Sequence, residues 1–231
     1  MIRIRKHDER GHFDYDWLDT WHTFSFADYH DPEYMGYSSL RVINDDRIAP
    51  GAGFPNHGHR DMEILTYVMQ GALAHRDSMG NGSVIETGDV QYMSAGKGVS
   101  HSEYNASPHE RAHLLQIWIV PTERNLEPTY RQKHFTAEEK LGKWCLLASP
   151  DGNDGSLEIR QDARLYAALA TATPLAYTLA TGRCAWLQVA QGSVLLNGQP
   201  LVAGDGAAIE EEREIRITSD GQGEVLLFDL A

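Results

Sequence analysis

Cysteine and long apolar runs are both scarce in this sequence of 231 residues. The only cysteines are Cys145 and Cys184, so one disulfide at most could form, and no zinc-finger spacing exists. Two free thiols in a reducing cytoplasm fit this usage better. No stretch approaches the ~20 apolar residues of a membrane span, and no apolar run follows the basic residues 1–6. We therefore expect a cytoplasmic protein without a signal peptide.

Basic residues are also few compared with acidic ones. The chain has 20 Lys and Arg against 33 Asp and Glu, which gives a formal net charge of -13. A negative field of this size opposes binding to nucleic acid and to anionic lipid, so we expect neither as a direct partner. The chain is long enough for one large or two small domains, each with its own core.

Histidine is absent from the end of the chain, since all eleven histidines lie at or before His134. Two ligand pairs stand out in the first part: His57 with His59, and His101 with Glu103. Residues two apart on a strand point to the same face, so each pair could aim both groups into one cavity. Three imidazoles and a carboxylate suit a first-row divalent metal and leave positions open on an octahedral ion.

Short β-prone segments separated by turn residues run through the whole sequence. Examples are residues 40–46, 63–69 and 114–120, with residues 51–56 expected as a loop that precedes the first histidine pair. Asn81-Gly82 and Asn197-Gly198 predict hairpins, and Gln191-Gly192 predicts a break between strands. This pattern is typical of antiparallel barrels or jelly rolls, so we predict an all-β fold.

A faint internal repeat indicates that the same β unit is used twice. Residues 68–71 and 88–89 correspond to residues 189–192 and 204–205, and the second copy lacks histidine. We predict a metal-binding N-terminal domain over residues 1–130 and a C-terminal domain without metal ligands over residues 151–231. A connector over residues 131–150 would hold a short helix capped by Thr136.

The ligand region resembles the two cupin motifs. The first motif is matched, with a one-residue delay at its last glycine, by Gly51, His57, His59, Glu63 and Gly71. The second is matched, apart from its proline, by Gly88, Gly98, His101 and Asn105. Over a wider span, the chain resembles the pirin family in residues 21–27, 40–45, 61–67, 77–80 and 101–105.

This resemblance implies a bicupin fold and a mononuclear metal, usually iron, held by the counterparts of His57, His59, His101 and Glu103. Manganese, cobalt, nickel, copper and zinc stay open as alternatives. Several pirins have quercetin 2,3-dioxygenase activity, which implies a small aromatic substrate, O₂, and a catalytic role for Glu103 as proton acceptor. Glu63 is a ligand in many cupins, but the pirin pattern places it outside the ligand set.

Two other functions remain open at the level of sequence. One is a metal-containing regulatory protein that acts through a protein partner, and the other is a cupin isomerase or sugar-binding module. Among the neighbouring residues, His75 and His113 are expected to support the site or to pack beside it. Asp61 could either orient a ligand imidazole or cap a turn.

Overall fold

The computed structural model describes residues 1–221 and 223–231, and strands form most of its regular structure. The first strands are β1 (Ile2–Arg5), β2 (Gly11–Asp14), β3 (Leu18–His22), β4 (Leu40–Ile48), β5 (Gly53–His59), β6 (Glu63–Gln70), β7 (Ala72–Asp77), β8 (Gly82–Glu86), β9 (Asp89–Ser94), β10 (Val99–Asn105), β11 (Ala112–Ile119) and β12 (Thr129–His134). They are followed by α1 (Ala137–Lys140), β13 (Cys145–Ser149), β14 (Leu157–Glu158), β15 (Ala163–Ala170), β16 (Leu175–Thr178), β17 (Cys184–Leu196), β18 (Gln199–Val202), β19 (Gly206–Ile209), β20 (Glu214–Thr218) and β21 (Gly223–Leu230). Within the described residues, no helix has the length and apolarity to cross a membrane.

The chain forms two compact units. The N-terminal unit comprises Gly11–Gly36 and Leu40–His134, and the C-terminal unit comprises Met1–Arg10, Tyr37–Ser39 and Phe135–Ala231. This division differs from the expected domains in its first and middle segments because β1 pairs with β19, and β13 pairs with β15. The domain limits at residues 130 and 150 stay a prediction.

The N-terminal unit contains two antiparallel sheets. One has the strand order β5-β10-β7-β8, and the other has the order β12-β9-β6-β11-β4-β3-β2. Burial alternates along β10, where His101 and Glu103 are buried while Ser102 is half-buried and Tyr104 is exposed. This is the period of two that places alternate side chains on one face of a strand. The predicted all-β fold is therefore confirmed, and β10 presents both of its expected ligands to the interior.

Hydrocarbon fills the core of the C-terminal unit. Its buried cluster consists of aliphatic side chains, among them Leu187, Leu196, Ile217 and Leu227. Burying such side chains stabilises the unit by about 1.5–3 kcal/mol each. Among the described residues of this unit, no group of candidate metal ligands occurs. Neither Cys145 nor Cys184 forms a disulfide, as expected from the cysteine usage.

The turn chemistry predicted several local features correctly. Asn197 and Gly198 both have positive φ, at 46° and 84°, and join β17 to β18 in the two-residue hairpin expected for this dipeptide. β7 and β8 also pair as the hairpin predicted here, although residues 78–81 connect them and Gly82 is already the first residue of β8. The hydroxyl of Thr136 accepts a hydrogen bond from the backbone N–H of Glu139, which confirms the cap of α1.

Two local predictions are wrong. Residues 53–56 were expected in a loop, but they belong to β5, where pairing with β10 overrides the weak strand propensity of Gly and Pro. The expected break at Gln191-Gly192 lies inside β17, whose register against β21 shifts between Val189 and Gln191. A bulge at this point bends one long strand instead of ending it.

Candidate metal centre

Strand pairing around β10 brings the two predicted ligand pairs together. β10 lies between β5 and β7, and His101 is directly opposite His57 on one side and Asp77 on the other. Glu103 is opposite His75 on β7. Because paired residues of adjacent strands have neighbouring side chains, these groups meet on the inner face of the sheet.

Three imidazole nitrogens converge at this position. The Nε2 atom of His101 is 2.8 Å from Nε2 of His59 and 3.1 Å from Nε2 of His57. Two nitrogens bound at right angles to one divalent ion, each ~2.0–2.1 Å from it, would be about 2.9 Å apart. The spacing of His101 from His59 and from His57 therefore fits adjacent positions in a metal coordination shell.

The electrostatic environment keeps the imidazoles of His59 and His101 neutral. Burial lowers the pKa of His59 to about 4, and burial together with the neighbouring histidines lowers the pKa of His101 to about 2. The carbonyl oxygen of Pro55 lies 2.8 Å from Nδ1 of His57, so Nδ1 carries the proton and donates it. Neutral imidazole is the form that binds metals, and in that form His57 presents the lone pair of Nε2 to the cluster.

Glu103 is a buried carboxyl group with one unused oxygen. Its Oε2 accepts a hydrogen bond from Nε2 of Gln116 at 3.1 Å, whereas its buried Oε1 has no hydrogen-bond partner among the described residues. Burial, with a further contribution from the charge of Asp46, raises the pKa of Glu103 to about 7. A buried acceptor without a partner is costly, and a cation beside it would remove that cost.

The described residues contain two groups of candidate metal ligands. Within each group, the ligand atoms lie within 4.8 Å of one another. The first contains His57, His59 and His101, and the second contains His75, His101 and Glu103. His101 belongs to both groups and links the carboxyl group to the imidazole cluster. The structure thus brings the three histidines together, with Glu103 joined to them through His101.

A cavity of about 420 Å³ adjoins the cluster. Besides His57, His59 and Glu103, its walls include Phe26, Asn44, Asp46, Phe54, Pro55, Ile64, Gln116 and Trp118. The ring of Trp118 meets His59 edge-on, with 4.9 Å between centroids, and Phe26 meets Trp118 edge-on at 5.3 Å. The volume lies within the ~300–1,000 Å³ of small-molecule sites, and aromatic walls of this kind suit a flat, largely apolar ligand.

Other residues singled out in the sequence have separate roles. Both carboxylate oxygens of Glu63 accept hydrogen bonds, from the hydroxyls of Tyr92 at 2.5 Å and Ser94 at 2.6 Å. Asp61 accepts a hydrogen bond from the backbone N–H of Asn125, which is a loop contact. These carboxylates belong to neither group of candidate ligand atoms found in residues 1–221 and 223–231.

Asp77 was not identified from the sequence as part of the site. Its Oδ2 lies 3.4 Å from Nε2 of His75, and Nδ1 of His75 lies 3.4 Å from Nδ1 of His101. The signal was present, because His75 and Asp77 are two residues apart on β7 and therefore share a face. The strand that would lie beside β7 could not be read from that spacing.

Comparisons with known proteins identify the family of both halves of the chain. The pirin family model matches residues 3–119, and the model of the quercetinase C-terminal cupin domain matches residues 146–230. The quercetin 2,3-dioxygenase of Escherichia coli strain K12 is 52% identical over 231 residues, with 100% of this chain and 99% of that protein covered.

Two further relatives cover the whole chain. A pirin-like protein of Caulobacter vibrioides is 45% identical over 233 residues, with 100% of both chains covered. The crystal structure of the bacterial pirin YhhW from Escherichia coli in complex with nickel(II) matches with a TM-score of 0.94 and 50% identity, covering 100% of this chain and 99% of that chain.

Proposed function

The chain belongs to the pirin family of bicupins, and from this membership we propose that it is a metal-dependent dioxygenase of the quercetin 2,3-dioxygenase type. The observation that carries the proposal is the meeting of three imidazole Nε2 atoms at one side of an aromatic-walled cavity. The names of close relatives support a small-molecule substrate, and we assign flavonols and O₂ to this chain. A cytoplasmic location is part of the same proposal.

We assign the metal to His57, His59, His101 and Glu103, with iron(II) as the resident ion and the other first-row divalent metals as alternatives. Their nitrogen and oxygen donors match the preferences of such ions, and nickel(II) binding by a relative with 50% identity supports a divalent metal. When bound, such an ion would act as a Lewis acid that lowers the pKa of a chelating hydroxyl group.

Glu103 supplies the proton acceptor in this proposal. Glu103 lines the cavity, and its carboxylate, either bound to the ion or shifted off it, can accept the proton of the flavonol 3-hydroxyl. The aromatic walls around Trp118 and Phe26 hold the flat rings and exclude water.

The deprotonated flavonol is electron-rich and reacts with O₂. Both oxygen atoms enter the product, two carbon–carbon bonds of the central ring break, and the carbon between them leaves as carbon monoxide. The proton returns from Glu103 to the carboxylate of the resulting depside. Because O₂ is the oxidant and both of its atoms enter the depside, no further oxidant or reductant is consumed.

Three variants test this function. His101→Ala should remove the shared ligand and abolish both iron binding and flavonol turnover. Glu103→Gln keeps the size of the side chain but not its basicity, so kcat should fall by roughly 10²–10⁴-fold. His109→Ala changes an exposed loop residue and serves as the matched control. Elemental analysis, oxygen uptake and carbon monoxide release on quercetin are the measurements.

Turnover of quercetin by metal-free protein would overturn the proposed mechanism. Wild-type protein that binds iron but consumes no oxygen with any flavonol would overturn the dioxygenase assignment. In that case a pull-down compared between ferrous and ferric protein would test the alternative of a regulatory protein with a protein partner.

A further inference from the structure

Behind the imidazole cluster lies a second, buried line of polar groups on β7. We propose that Asp77 and His75 form a relay that fixes the tautomer of His101, so that Nε2 of His101 presents its lone pair to the metal. Both are positioning residues, because they act through His101 and do not touch the substrate. The inference rests on the proposed metal centre but makes a separate statement about this chain, which can be tested without metal.

The relay starts at the carboxylate of Asp77. Besides its contact with His75, this carboxylate accepts hydrogen bonds from Met79 and Asn81. Its Oδ1 accepts from the backbone N–H groups of Met79 and Asn81, each at 2.9 Å, and its Oδ2 accepts from Nδ2 of Asn81 at 2.8 Å. Such a carboxylate is an acceptor at both oxygens. Nε2 of His75, 3.4 Å from Oδ2, must therefore be the nitrogen that carries the proton.

The position of that proton determines the rest of the relay. A neutral imidazole has one N–H, so a proton on Nε2 of His75 leaves Nδ1 as an acceptor. Nδ1 of His75 faces Nδ1 of His101 at 3.4 Å, so Nδ1 of His101 is the donor in this contact. Nε2 of His101 is then unprotonated, and this is the atom that faces His57 and His59.

Packing holds the relay in place and keeps water out of it. The side chains of His75 and Asp77 are both fully buried. The ring of His75 stacks on Tyr130, with 4.9 Å between centroids and 25° between planes. The hydroxyl of Tyr130 is in turn 2.5 Å from Ser83, which anchors the stacking partner. His75 therefore has one orientation in which its two nitrogens meet Asp77 and His101.

A supporting hydrogen bond to the second nitrogen is the usual requirement of a metal-binding histidine, and its loss costs about 10–100-fold in metal affinity. For His57, the carbonyl of Pro55 meets this requirement. For His101, Nδ1 of His75 is the supporting acceptor, and His75 is itself supported by the carboxylate of Asp77.

Nitrogen NMR of metal-free protein with ¹⁵N-labelled histidine reads the tautomers directly. We expect Nδ1 of His101 and Nε2 of His75 to be protonated, and the other nitrogen of each ring to be bare. The inverse pattern, with the proton of His101 on Nε2, would overturn the relay. This result does not depend on catalysis, so a failure of the dioxygenase proposal would leave it unchanged.

Nickel(II) affinity, measured by competition with a chelator, tests the consequence for the metal. His75→Phe keeps a ring to stack on Tyr130 but removes the acceptor, and we expect the Kd for nickel(II) to rise about 10–100-fold. His75→Gln can again accept from Nδ1 of His101, so it should recover part of the loss. Arg76→Ala changes an exposed position on the same strand and serves as the control, with an unchanged Kd.

Equal nickel(II) affinity in wild type and His75→Phe would overturn the supporting role of His75. Circular dichroism and thermal unfolding of each variant separate loss of fold from loss of affinity. If His75→Phe does not fold, Asp77→Asn decides the matter, because an amide N–H facing His75 should invert both tautomers in the NMR spectrum. Unchanged tautomers in Asp77→Asn would contradict the relay.

Discussion

Asp46 shows how burial alters a single carboxyl group beside the site. It is 3% exposed and lines the cavity, and its Oδ1 accepts a hydrogen bond from the hydroxyl of Thr20 at 2.5 Å. Burial raises the pKa of Asp46 to about 7, whereas an aspartate in an unfolded chain titrates near ~3.9. The folded protein therefore binds this proton more tightly than the unfolded chain, and the stability that it contributes falls as the pH rises from about 4 to about 7.

Asp46→Asn should remove this pH dependence, because the amide keeps the acceptor for Thr20 and has no charge to bury. In metal-free protein, we expect the variant to exceed wild type in free energy of unfolding by about 2–4 kcal/mol at pH 8 and to differ little at pH 4. Urea unfolding at the two pH values measures the difference. Asp154→Asn, in an exposed turn, is the control. If the free energy of unfolding changed equally between the two pH values in wild type and in Asp46→Asn, the prediction would be contradicted.

At the scale of elements, the approach of β5 to β10 depends on a glycine. Gly53 lies opposite Tyr104, and a Cβ on Gly53 would come within 2.1 Å of the carbonyl oxygen of Glu103. Because that neighbour is backbone, the strands would have to separate to admit even a methyl group. Gly58, on the same strand, has much more room, since a Cβ there would be 3.8 Å from the nearest atom, the carbonyl oxygen of Val99.

Gly53→Ala should therefore weaken metal binding as well as the fold, because β5 carries two of the candidate ligands and β10 the other two. We expect a loss of about 1–3 kcal/mol in stability, the usual cost of overpacking, and a higher Kd for nickel(II). Gly58→Ala is the matched control on the same strand and should retain both properties. Thermal unfolding and chelator competition are the measurements, and equal behaviour of the two variants would refute the argument.

At the scale of the whole molecule, two β units of related type have different interiors. The N-terminal unit brings together three histidines and a glutamate, while the C-terminal unit is filled by aliphatic side chains. Every histidine lies at or before His134, which leaves most of the C-terminal unit without imidazole. One metal ion per chain is the stoichiometry that this difference predicts.

Metal analysis of purified protein should give one equivalent per chain in wild type and none in His101→Ala. Nickel(II) at 100 times its Kd should stabilise wild type against urea by about 2.7 kcal/mol, because it binds only the folded state. His101→Ala should show no such stabilisation. Two equivalents in wild type, or one retained in the variant, would mean that a metal binds elsewhere.

The ligand pairs could be read from the sequence because a strand repeats every two residues. His57 with His59 and His101 with Glu103 follow that period, and their cupin-like spacing indicated the family before any coordinates. The hairpin at Asn197-Gly198 and the cap of α1 were predictable for a similar reason, since each depends on the backbone preferences of a few adjacent residues. In these features, local chemistry and tertiary structure agree.

Pairing between strands that are distant in sequence decided the features that local patterns did not predict. That β10 lies between β5 and β7 brings His75 and Asp77 behind His101, and it makes residues 53–56 a strand in spite of their glycine and proline. The sequence by itself determined which groups could bind a metal and on which face of a strand they lie. Only the tertiary structure decided which strands are neighbours, because the hydrogen bonds and buried contacts that select them join residues far apart along the chain.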